Sequence, residues 1–210
     1  MVAFSESYRA SFERTMQQYI HQHNIQTCWF AYNGPVDLSY FHLPCKPLPT
    51  LFSTLLRAPQ GAVPLQIQGP IFIGSQSLTG WGWGPMEASP YNAFVGVKPD
   101  DVLYGEIVVY NGSYTVPRLA ALSHLSLARI ASSGGHPDIA LAEAQQAEAL
   151  APELLMPHEA LTSLYVSNHQ PAEASREYET AMHLYNTLYS SFASGMTPPT
   201  DPAAPPPPGP

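Results

Sequence analysis

Lysine is almost missing from this chain. Lys46 and Lys98 are the only two in 210 residues, and charged residues make up 11% of the total, well below the usual quarter. Net charge is −8. With no basic cluster, nucleic acid is not an expected partner. No run reaches the ~18 apolar residues of a spanning helix, so no membrane span is expected. The start, Met1 to Ser5, lacks the basic and apolar regions of an export signal. There is no glycine-rich phosphate cradle. Cysteine is equally scarce. Cys28 and Cys45 alone cannot complete a structural zinc site. They form one disulfide, worth about 3 kcal/mol, or stay as two thiols. Cofactor and metal are both expected to be none.

What is present divides at about residue 116. Tyr8, Phe12, Met16, Tyr19 and Ile20 recur at helical steps and predict a helix over 7–23, with Asn24 as its stop. Three apolar segments then predict strands: 26–32, one within 67–78, and 102–110, the last closed by an Asn111-Gly112 turn. The prolines of 43–49 forbid a helix there and suggest a loop. Pro90 to Phe94 suggests a short helical turn. From Val116 the composition turns to Ala, Leu and Glu. Pro117, Pro137, Pro157 and Pro171 each mark a helix start, where a missing N–H costs nothing. Residues 190–210 form a Pro-rich tail suited to an extended conformation.

The helical part repeats itself at 34 residues. His124 recurs as His158, Leu127 as Leu161, Ala140 as Ala174, Ala144 as Tyr178 and Ala147 as Ala181. This period and its small–large alternation resemble the tetratricopeptide helix–turn–helix repeat. The expected fold is α+β or α/β: a small three-stranded domain over 1–116, two such repeats over 117–189, and the tail.

Residues 19–117 also resemble the soluble C-terminal region of bacterial membrane glycosyltransferases of the dolichyl-phosphate-mannose type. The matching pieces are Tyr19 to Ile25, Trp29 to Gly34, Leu43 to Thr50, Gly69 to Ile73, Pro90-Tyr91 and Ile107 to Gly112. Val2 to Ser7 departs from the acidic aromatic segment of that family. Sugar transfer there belongs to the membrane portion, so no catalytic residue maps onto this chain. The resemblance implies a place outside the cytoplasmic membrane.

Candidate chemistry is sparse. His21 and His23 lie two apart and diverge on a helix. Asp100-Asp101 suits a turn better than a catalytic pair. Trp81 and Trp83, with Tyr32 and Tyr91, are candidate contacts to a partner or a glycan, or else cover apolar surface. His124 and His158 are candidates to line a repeat groove. Asn111-Gly112-Ser113 is a glycosylation sequon. The acids of 138–179 suggest a solvated helix face.

Two repeats are fewer than an independent stack needs. The expected function is therefore a non-enzymatic, self-assembling extracellular subunit of filament type. Its expected partners are copies of itself. The alternative is an accessory domain of a glycan-transfer system that binds a protein or a glycan.

Overall fold

A computed structural model describes residues 14–32, 42–51, 61–78, 83 and 88–196, with side chains as far as 191. Helix α1 covers 14–22. Strands β1 (Cys28–Ala31), β2 (Cys45–Pro47) and β3 (Gln66–Gly74) follow, then the short helix α2 (Ser75–Leu78). A 3₁₀ turn (Asn92–Phe94) leads to β4 (Asp101–Leu103) and β5 (Ile107–Thr115). The remaining helices are α3 (Pro117–Ser133), α4 (Pro137–Leu150), α5 (Leu155–Ser167) and α6 (Pro171–Met196). The chain is α+β.

The sheet has five strands, not three, in the order β2-β1-β3-β5-β4. Strand β1 runs parallel to both β2 and β3, while β5 is antiparallel to both β3 and β4. The loop expected at 43–49 holds β2, which pairs residue for residue with β1. A disulfide joins Cys28 to Cys45 at facing positions of that register.

The segment expected as one strand over 102–110 is a hairpin. Its turn is Leu103-Tyr104-Gly105-Glu106, closed by the Glu106 N–H donating to the Leu103 carbonyl at 3.1 Å. Tyr104 and Gly105 have φ of 54° and 70°, as a type I′ turn requires. Asn111-Gly112 makes no turn. Strand β5 continues through it, with Gly112 opposite Gly69 on β3.

Alternation along the strands gives the sheet two buried faces. Cys28, Phe30, Phe72, Ile107 and Val109 pack with Met16 and Ile20 of α1 on one side. Ala31, Ile71, Ile73 and Tyr110 pack on the other with Tyr91, Phe94 and Leu119 of α3. Helix α3 then turns Ala121, Leu122 and Leu125 into a third cluster with Trp83, Ala147, Ala151 and Leu154.

The helices end as their sequences direct. Ile25 N–H reaches the Ile20 carbonyl, His136 the Ala131 carbonyl and Gln170 the Tyr165 carbonyl. Each is the long bond of a Schellman stop. The left-handed residues of these stops are Asn24, Gly135 and His169, at φ 52°, 76° and 58°. Helix α5 starts at Leu155, two residues before the expected Pro157. Pro157 still falls in the first turn, where helix N–H groups have no partner. Helix α6 runs to Met196, so the tail cannot begin at 190. Residues 197–210 lie outside the described residues.

Two outcomes follow. Leu122 is fully buried in the cluster that joins α3 to α4. Leu122→Ala should cost 2–5 kcal/mol, of the order seen for buried leucines, in a single urea transition followed by both far-ultraviolet circular dichroism and tryptophan fluorescence. His169→Gly relieves a non-glycine residue of a left-handed conformation. It should raise stability by up to about 1 kcal/mol in the same assay.

Candidate functional site

The 34-residue repeat places equivalent side chains on equivalent helices. His124 of α3 meets Glu143 of α4, with Nδ1 2.6 Å from Oε2. One repeat later, His158 of α5 meets Glu177 of α6 at 2.8 Å. Both pairs are 19 residues apart, and each ties the two helices of its hairpin. Glu143 and Glu177 are thus hairpin fasteners, not merely members of a solvated acidic face. His158 is buried, and its Nε2 donates to the Pro152 carbonyl at 2.9 Å. Glu148 of α4 is close enough that one ligand atom from each of Glu148, His158 and Glu177 lies within 4.8 Å of the others. The sequence offered a sign of this arrangement, because Glu143 and Glu177 share the offset of the two histidines.

A groove runs between α3 and α5. It encloses about 350 Å³ and is mixed in character, with Leu125, Ala128, Met156, Ala160 and Leu164 beside Arg129, Ser132, Glu159 and Ser163. Helix α6 carries an exposed stripe of large side chains. Tyr178, Met182, Tyr185 and Tyr189 follow one another at four-, three- and four-residue steps and lie on one stripe. All four are exposed. One repeat earlier, the equivalents of Tyr178 and Tyr185 are Ala144 on α4 and Ala151 just past its end, at 0% and 1% exposure against 56% and 38%. Ala144 is sealed in a cluster with Leu161 of α5. No described element follows α6 to seal its stripe in the same way.

The aromatics chosen from the sequence do not come together on a surface. Trp83 is buried against α3 and α4. Tyr91 has no exposed surface, and its hydroxyl donates to the Pro49 carbonyl at 2.6 Å. Burial drives that phenol far above its ordinary titration range. Tyr32 is half-buried beside Gly74, Ser75, Gln76 and Glu106. Trp81 lies outside the described residues. His124 is half-buried and paired, and His158 is too deep to line an open groove. Asn111 is exposed, but on a paired strand, with its N–H bonded to Asp100 at 2.6 Å. Asp101 accepts from the Val102 N–H, so both aspartates serve the local backbone.

One ion pair braces the helical layer. Arg118, at the start of α3, donates to Glu153 through Nε at 2.7 Å and to the Ser89 carbonyl through Nη1 at 2.9 Å. Burial alone would raise the Glu153 carboxyl. The Arg118 hydrogen bond and charge, with a backbone bond, outweigh it and hold the group below its usual range.

No family model, no curated protein and no solved structure matches this chain.

The Glu153 shift sets a pH dependence. A carboxyl held low in the fold stabilises it fully above the unfolded value, near pH 4.3. That contribution is lost as pH falls through the lower folded value. Glu153→Gln should therefore lower the melting temperature at neutral pH and flatten its fall below about pH 4.5, as read by thermal scans across pH 2.5–7 in roughly half-unit steps.

Proposed function

We propose that this chain is a non-enzymatic interaction protein of tetratricopeptide type, whose copies associate through the uncovered stripe of α6. The observation that carries this reading is the contrast between α4 and α6. Ala144 and Ala151 lie sealed within the layer, while Tyr178 and Tyr185 face solvent at the equivalent positions. Four aligned large side chains exposed together mark a contact surface. Tyrosine suits such a surface, joining a broad apolar ring to a polar tip.

The rest of the molecule supports this choice of surface. Strands β2 and β4 form the sheet edges, and each is three residues long. Pro47 and Asp101 lie on those strands, and short edges bearing proline or charge are poor templates for another strand. The start of the helical layer is already closed by the sheet. On a neighbouring copy the stripe would be received by the α3–α5 groove, through its apolar residues Leu125, Ala128, Met156 and Ala160. A stripe-to-groove contact joins unlike surfaces, and such a contact builds a filament when its rotation does not close into a ring.

The Cys28–Cys45 disulfide fits an oxidising compartment outside the cytoplasm. Burial of Trp83 and Tyr91 leaves the glycan-accessory alternative without two of its four contact aromatics.

Light scattering and electron microscopy over a concentration series test the assembly. Fibres are expected. Tyr185→Glu on the stripe and Ala160→Glu in the groove should each weaken association by about 30-fold or more, the effect of losing one interface anchor. A strict monomer at high concentration would reject self-association. A closed dimer insensitive to Ala160→Glu would reject the filament.

A further inference from the structure

We propose that Glu148, His158 and Glu177 form a binding site for one divalent transition-metal cation of the zinc class. Three helices supply the donors: α4 gives Glu148, α5 gives His158 and α6 gives Glu177. The imidazole is oriented for this task. Its Nε2–H is held by the Pro152 carbonyl at 2.9 Å, the outer bond that commonly fixes a metal-binding histidine. Nδ1 therefore faces Glu177 at 2.8 Å, and a Glu148 oxygen lies within 4.8 Å of the other donor atoms. A neutral ring with Nε2–H turned outward would set a lone pair against carboxylate oxygen. Something positive must sit between them, either a proton or a metal ion.

The other repeat is an internal control. His124 and Glu143 make the same bond at 2.6 Å and tie α3 to α4. The fastening therefore needs only the pair. The residues 34 before and 34 after Glu148 are Tyr114 and Met182, neither a carboxylate. The third donor has been added at one repeat alone. Two carboxylates around one imidazole remain net negative even when the ring is protonated, which favours a divalent ion. One imidazole with two carboxylates suits zinc or cobalt better than calcium or magnesium, which prefer oxygen alone. Four-coordinate zinc places ligand atoms about 3.3 Å apart. Binding therefore requires the half-buried Glu148 side chain to close the present spread of up to 4.8 Å. The ion replaces the proton between Nδ1 and Glu177, which leaves to solvent. Water fills the fourth position.

The test is titration of the full chain with Zn²⁺ by calorimetry and with Co²⁺ by visible absorption. One ion per chain is expected, with the intense cobalt bands of a low-coordinate site. Glu148→Gln spares the His158–Glu177 bond and should weaken binding at least tenfold. His158→Gln should abolish it. Glu143→Gln, in the repeat without a third carboxylate, should leave it unchanged. Failure to bind Zn²⁺ at 100-fold molar excess would overturn the proposal. So would wild-type affinity in both Glu148→Gln and His158→Gln, which would put the ion elsewhere. Should His158→Gln fail to fold, Glu148→Gln and Glu177→Gln decide. None of these readouts depends on whether copies associate.

Discussion

Helix α3 belongs to two cores at once, and the architecture depends on that sharing. Leu119 closes one face of the sheet, while Leu122 and Leu125 mesh with α4 and Trp83. Ser123 lies fully buried between these surfaces. Its hydroxyl donates to the Ala120 carbonyl and accepts the Val63 N–H at 2.8 Å. That bond satisfies a backbone donor that burial would otherwise strand, at a cost of about 1–3 kcal/mol. The segment leading into β3 is pinned in the same way, since Leu65 accepts the Val116 N–H at 2.8 Å. The break in composition at 116 therefore marks a change of element within a joined structure.

Much of this was legible in the residues. Pro117, Pro137 and Pro171 announce helices because a first-turn proline costs nothing. Gly135 and Asn24 stop helices because they tolerate a left-handed backbone. The apolar run of β3 could be read because both of its faces are buried. Other features were hidden for physical reasons. Strand β2 carries Pro47, and a three-residue edge strand has no periodicity to detect. The real hairpin turn uses Tyr104-Gly105, which lacks the usual asparagine signal. Asn111-Gly112 carries that signal without the turn, because Gly112 faces Gly69 within a continuous ladder. The end of α6 at Met196 is hidden because the Ser-, Thr- and Pro-containing stretch from Ser190 to Thr200 reads as a linker.

The candidate site was less legible. An aromatic side chain can serve a core or a surface equally well, and sequence does not separate the two. Burial assigned Trp83 and Tyr91 to the core. The histidines fared differently. Their repeat spacing is visible, but Glu143 and Glu177 read as solvated acids because their partners lie 19 residues away on another helix. Only folding brings Glu148 beside the second pair. The Tyr178 to Tyr189 stripe follows helical spacing, yet its exposure depends on whether a further helix packs on α6.

Residues 180–196 contain no Asp, Glu, Lys or Arg. A contact made by this part of α6 has no ion pairs for salt to screen. Its strength comes from transferring tyrosine and methionine surface out of water, a driving force that fades on cooling. Association through this stretch, as proposed, would weaken on cooling and tolerate salt, the reverse of what an acidic protein with a net charge of −8 would suggest.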